Sequence, residues 1–259
     1  MSHIAAFEGV THRFGHRVAL DDLSLAFGTG VCGLLGPNGA GKTTMLRLLA
    51  TIYAPQSGTL RIGDLDLGRD RDRHRAARSS GYLPQSFTFY PGFTVSEFVE
   101  YFALLRRMRR ADARRAITAA LAAVDLSERA DTKLKTLSGG MLRRAGIAQA
   151  IVHDPAVLLL DEPSAGLDPD QRWELRELVV RLAERRMVLL STHLTEDIEA
   201  IGGRVVVLRQ GRVRFDGTAA ELGALGTSHP TEENDRRTAI ERGYGVIQAR
   251  QAEQSSVAA

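Results

Sequence analysis

The sequence predicts an α/β fold: a mainly parallel sheet, with short strands ahead of it and a helical block inserted into it. Three observations carry this. Apolar runs at 157–160 and 187–190 flank an amphipathic stretch at 169–185, the βαβ alternation of a parallel sheet. Over 4–35, Phe7, Val10, Leu23, Leu25 and Phe27 fall near alternation, broken by Gly15, Gly28 and Gly30, as in short strands. Between 95 and 125 the apolar period lengthens to that of a helix.

The elements follow in order. After the first strands, the apolar run Val31-Cys32-Gly33-Leu34-Leu35 leads into a glycine-rich turn and a helix over 42–49. Residues 58–67 form a hairpin about Gly63-Asp64. Phe98, Tyr101, Phe102, Leu105 and Met108 keep i, i+3, i+4, i+7, i+10 spacing and define one buried helical face. A second helix runs over 111–124. A third begins after Ser138 and stops at Asp154-Pro155, where proline cannot continue it. Val205 to Leu208 and Val213 to Phe215 make a last hairpin about Gly211. The expected division is a core at 1–86 and 154–222, a helical block at 87–153, and a tail at 223–259 that reads as partly disordered, frayed from 248 onward.

Composition narrows the function classes. With 259 residues, 44% hydrophobic and 25% charged, the chain fills a sizeable core. One cysteine, Cys32, excludes a disulfide framework and a thiolate zinc site. No signal peptide is visible at the start, and no apolar stretch reaches the length of a membrane-spanning helix. Net charge is +3, almost all of the positive charge being arginine. The dense run Arg106-Arg107-Met108-Arg109-Arg110 has no interleaved aromatic residues, so no nucleic-acid partner is expected.

The chemistry lies at strand ends. Gly36-Pro37-Asn38-Gly39-Ala40-Gly41-Lys42-Thr43, with Thr44 beyond it, fits the G-x-x-x-x-G-K-[ST] phosphate loop. Its glycines let backbone N–H groups point at phosphate oxygens, and the following helix adds its positive end. Lys42 supplies a compact ammonium and Thr43 a hydroxyl for Mg²⁺. In a chain whose only other lysines are Lys133 and Lys135, a lysine here is informative. Asp161-Glu162 ends the strand at 157–160, where parallel sheets place ligands. Asp161 suits Mg²⁺, through water, and Glu162 suits orienting or deprotonating a water. His193 ends the strand at 187–190 and Gln85 follows Gly81-Tyr82-Leu83-Pro84; both are expected to reach the same site, Gln85 near Mg²⁺. Ser138 is a good N-cap, and Gly139 and Gly140 leave the following amides open to an anion. Two glycines there cost about 1 kcal/mol each and call for a reason.

Together these motifs resemble, over about 4–222, the nucleotide-binding subunits of ABC transporters. Residues 36–43 match the Walker A motif and 157–161 the Walker B motif, with Glu162 as the catalytic glutamate. Gln85 matches the Q-loop, 137–141 the signature motif, 164–168 the D-loop and His193 the H-loop. Phe14 sits where the family places an aromatic that stacks on adenine. The resemblance implies a RecA-like P-loop NTPase core with an antiparallel β subdomain and an inserted helical subdomain. It also implies ATP and Mg²⁺, and a second nucleotide-binding subunit, as homodimer or heterodimer, whose signature serine completes each ATP site. The remaining implications are a separate membrane-spanning permease and a place on the cytoplasmic face of the cell membrane. Met141 departs from the family's glutamine and Phe14 from its tyrosine. The segment 82–98 is similar to subunits of the ABC-2 export type. Two other readings stay open: a soluble ABC-type ATPase of translation or DNA repair, and a P-loop kinase or GTPase. The single cassette without a coiled-coil insertion speaks against the first, and the signature with Asp161-Glu162 against the second.

Overall fold

The computed structural model describes residues 3–228 and 235–257. Strands β1 (Ala5–Phe14) and β2 (Arg17–Phe27) form an antiparallel hairpin, and β3 (Gly30–Leu35) leads through the glycine-rich turn into α1 (Lys42–Leu49). A second hairpin, β4 (Ser57–Ile62) and β5 (Leu65–Asp66), is followed by α2 (Asp70–Ala76) and β6 (Ser80–Leu83). The inserted block holds α3 (Val95–Leu105), α4 (Arg110–Ala123) and α5 (Gly139–Ile151). Then come β7 (Val157–Asp161), α6 (Pro169–Ala183), β8 (Met187–Thr192) and α7 (Thr195–Ile201). Hairpin β9 (Arg204–Arg209) and β10 (Arg212–Thr218) precedes α8 (Ala219–Thr227) and α9 (Ala239–Val257).

The strands build two sheets. One is antiparallel, in the order β2-β1-β4-β5; the other runs β10-β9-β3-β8-β7-β6 and is parallel except for the edge strand β10. Both faces of the second sheet are covered, so β7 and β8 are buried along their whole length. Alternation still sorts their side chains. Leu158, Leu160, Val188 and Leu190 join the core shared with the helical block, while Val157, Leu159, Met187 and Leu189 face the core under α1 and the antiparallel sheet. The parallel order brings the carboxyl ends of β3, β8, β7 and β6 side by side, which is what gathers the site.

Most sequence expectations on element type hold, including the α1 bounds and the hairpin whose Ile62 faces Leu65. Four points differ. Of the helical face expected to be buried, Phe98 is buried, but Tyr101 and Leu105 are exposed and Met108 lies beyond the end of α3 at Leu105, so the buried stripe runs instead through Val95, Phe98, Val99 and Ala103. The first strands are long, 10 and 11 residues, because β1 pairs on both edges and absorbs its broken alternation in bulges. Helix α2 gave no periodic signal: only Ala76 is buried, and it carries the i,i+3 pairs Arg73–Asp70 and Arg75–Asp72. The fourth concerns the C-terminal end, where two helices lie that no apolar period signalled, α8 and α9. Ile240 and Ile247 bury against Val205, Val207 and Leu222. Two glycines let the helices touch: a Cβ on Gly243 would lie 1.8 Å from the Leu222 carbonyl oxygen, and one on Gly226 2.2 Å from that of Ala239. Of the expected polar stretch at 228–237, residues 229–234 lie outside the described residues, as do 258 and 259 of the stretch expected to fray.

Candidate functional site

A cleft of about 320 Å³ opens over the turn between β3 and α1, lined by Phe14, Arg17, Ala19, residues 37–44, Gln85 and Glu162. The turn needs its glycines. Gly41 precedes the first helical residue at φ 110°, and a Cβ on Gly36 would lie 2.3 Å from the Leu208 carbonyl oxygen. No side chain caps α1, so its first amides remain available to an anion.

Lys42 starts α1 and is 6% exposed. Its Nζ donates to the carbonyl oxygens of Gly36 at 2.5 Å and Pro37 at 3.4 Å, and lies 3.4 Å from Glu162 Oε1. Burial lowers its pKa, a shift that the Glu162 carboxylate opposes. Glu162 is the first residue beyond β7 and takes a left-handed backbone, φ 49°, rare for a non-glycine residue. Its N–H donates to Ser191 Oγ at 2.9 Å, and its Oε2 lies 2.7 Å from His193 Nδ1. A strained backbone of this kind, costing about 1–3 kcal/mol, persists where the surroundings hold it.

Asp161 is 1% exposed. Its Oδ1 accepts from Thr43 Oγ1 at 3.2 Å and from Ser191 Oγ at 2.6 Å, and its Oδ2 from the Tyr82 hydroxyl at 3.3 Å. One carboxylate among hydroxyl oxygens, beside a phosphate cradle, fits a hard divalent cation such as Mg²⁺, which takes few protein carboxylates and completes its shell with water and phosphate. Burial and the Asp161 charge push the Tyr82 phenol up to about 12, so it stays a proton donor.

Phe14, 46% exposed, meets His12 edge-on at 4.9 Å and Tyr53 edge-on at 5.5 Å, while His12 stacks on Tyr53 at 5.4 Å. The sequence reading missed Tyr53, His12, Tyr82, Arg17 and Ser191. Ser191, two residues before His193 at a strand end, carried a usable signal; the aromatic residues did not.

The structure joins Thr43 to Asp161 and Lys42 to Glu162 and His193 by side-chain contacts at one end of the cleft, with Phe14 and Gln85 elsewhere on its lining; Arg143 donates to the Gln85 carbonyl oxygen at 3.1 Å. It does not bring the signature residues there. Ser138 caps α5, accepting from Met141 N at 3.2 Å, and with Gly140 lines a separate cleft of about 810 Å³ beside Gln171 and Glu174. Gly139 lines another hollow, with Gln85 and residues 165–167. Nearby, Ser164 and Thr192 donate to the buried Asp197, which Arg176 also holds at 2.8 Å.

A parallel-sheet core with a phosphate loop, an acidic strand end and a facing histidine defines a nucleoside-triphosphate hydrolase of the P-loop class. A family profile for ABC transporters matches residues 20–165. The chain is 40% identical over 225 residues to the Nod factor export ATP-binding protein I of Ralstonia nicotianae, covering 85% of this chain and 68% of that protein. Among solved structures, it superposes with TM-score 0.79 on cbiO1 from Clostridium perfringens, part of the ABC transporter complex cbiONQ, at 25% identity over 86% of this chain and 92% of that one. It matches the dimeric post-hydrolysis state of the cassette MJ0796, bound to ADP and Pi, with TM-score 0.72 and 25% identity over 83% and 98% of the two chains. The chain belongs to the ABC transporter family, as an ATP-binding, ATP-hydrolysing subunit.

Proposed function

We propose that this chain powers an exporter from the cytoplasmic face of a membrane, pairing with a separate permease and closing on a second nucleotide-binding subunit when ATP binds. The observation that carries the hydrolytic half is Glu162, whose carboxylate lies 2.7 Å from His193 Nδ1 and 3.4 Å from Lys42 Nζ at the mouth of the phosphate cradle. The backbone of 36–43 and the Lys42 ammonium hold the phosphates, and Phe14 stacks on the adenine. Thr43 and Asp161 would hold Mg²⁺, Asp161 through water, with Gln85 also facing it; when bound, Mg²⁺ neutralises charge between the phosphates. Glu162 orients a water and accepts its proton, and His193 fixes the Glu162 carboxylate. Ser138, Gly139 and Gly140 act on the partner subunit's ATP, a reading supported by their placement in clefts other than the one over Lys42.

Export is supported by the relative named for Nod factor export. No described helix is long and apolar enough to cross a membrane, which suits a peripheral place beside a permease. The test is Glu162→Gln in the purified chain. ATP binding should persist, turnover should fall by about 100-fold or more, and an ATP-bound dimer should accumulate on size exclusion. Undiminished hydrolysis would remove Glu162 from its role.

A further inference from the structure

We infer that Tyr82, Arg47 and Tyr53 form a positioning relay tying the Asp161 carboxylate, at the cation end of the cleft, to the Phe14 ring at its base-stacking end. The inference rests on the roles proposed for Asp161 and Phe14. It starts from how Asp161 is held. Thr43 and Ser191 both donate to Oδ1, and Oδ2 is met by the Tyr82 hydroxyl at 3.3 Å. Removing that phenol leaves one carboxylate oxygen of a buried group without this restraint, and the carboxylate plane becomes free to rotate about its remaining contacts.

The phenol is itself held. Arg47, in the last turn of α1, donates from Nη1 to Tyr53 Oη at 3.1 Å, its guanidinium carbon lies 6.0 Å from the Tyr53 ring centroid, and its charge also acts on the Tyr82 phenol. Arg47 makes no ion pair among the described residues, so its hydrogen-bonding partner there is a phenol and not a carboxylate. A cation beside the Tyr82 oxygen polarises its O–H toward Asp161, which strengthens that bond more than an isolated phenol would. Tyr82 and Tyr53 both pack on the buried cluster that includes Met45, Leu46 and Leu49 of α1, so neither ring is free to swing.

At the other end, Tyr53 stacks on His12 with planes 19° apart, and both rings meet Phe14 edge-on. His12 is 5% exposed, leaving the shelf little room to shift except as a unit. The two ends of the nucleotide site are therefore joined through side chains of β6, α1 and the segment after α1, independently of the phosphate loop itself.

The test measures binding of a fluorescent ATP analogue to the full chain across a Mg²⁺ titration, with EDTA as baseline. Tyr82→Phe keeps the ring and removes the hydroxyl. It should raise the Mg²⁺ concentration for half-maximal binding by about tenfold, the effect expected for a group that orients a metal ligand, and leave binding in EDTA unchanged. Tyr53→Phe keeps the shelf and touches nothing at Asp161; a shift of about threefold in the same direction is a readout that packing alone would not move. Arg47→Lys, which keeps the charge, should recover part of the effect that Arg47→Met produces. Wild-type Mg²⁺ dependence in Tyr82→Phe overturns the relay, and so does a silent Tyr53→Phe. Asp161→Asn separates the two readings. A shifted Mg²⁺ dependence in that variant beside a silent Tyr82→Phe sinks the relay alone, whereas no change in Asp161→Asn sinks the placement of Asp161.

Discussion

His153 shows how a single side chain away from the cleft sets a pH dependence. It follows α5, and its Nε2–H donates to the Ser80 carbonyl oxygen at 3.1 Å, while its buried Nδ1 has no partner. Burial first, and the nearby Arg106 charge second, hold its pKa down to about 4 from the usual 6.5. Between those values the unfolded chain binds a proton that the folded chain refuses. Stability therefore rises with pH over that window and is lost as pH falls through it. The gap is worth about 3 kcal/mol at most. Urea midpoints of wild type and His153→Gln, measured from pH 4 to pH 6.5, should diverge: the variant's slope should be flatter by that histidine's share. Parallel slopes would mean that His153 is protonated in the folded chain.

At the scale of elements, the start of α5 sets helix stability against function. Gly139 and Gly140 occupy the first helical turn, where alanine would be favoured by about 1 kcal/mol each. A Cβ on Gly139 meets only Leu167 at 4.0 Å, ordinary contact, whereas one on Gly140 meets the Gln171 side chain at 3.1 Å. Nothing inside the chain therefore demands glycine at 139. Gly139→Ala should leave the melting temperature unchanged or raise it by a few degrees, while lowering ATPase activity, because in the proposed trans arrangement the Cβ would obstruct the partner subunit's nucleotide. Full activity in a stabilised Gly139→Ala would remove the reason offered for the glycine. This site was half legible in the sequence. Ser138 reads as an N-cap from its residue type alone, but which cleft it lines depends on how α5 packs against α6.

At the scale of the whole molecule, the cleft over Lys42 and the cleft beside Ser138 are different surfaces of one chain, which is what the proposed action of Ser138 on a partner's ATP requires. Mixing Ser138→Arg with Lys42→Ala chains should yield mixed dimers holding one doubly damaged site and one intact site. ATPase activity of the mixture should exceed that of either parent. Mixed dimers that form, by differential tagging, yet show no gain would refute action in trans. The α8–α9 hairpin belongs to the same scale. Its apolar residues are few, and their burial depends on Gly226 and Gly243 letting two backbones touch, a feature with no periodic signature.

The sequence by itself determined the phosphate loop, the acidic strand end, the histidine strand end and the capped helix at Ser138. Each is written in contiguous residues whose backbone geometry follows from glycine, proline and short apolar runs. Only the tertiary structure decided that Thr43, Ser191 and Tyr82 converge on Asp161, residues up to 118 positions apart in the chain. The physical reason is strand order. Parallel neighbours β3, β8, β7 and β6 are far apart in sequence and adjacent in space, so the contacts between their ends come from hydrogen-bonded pairing across the sheet and not from any local spacing.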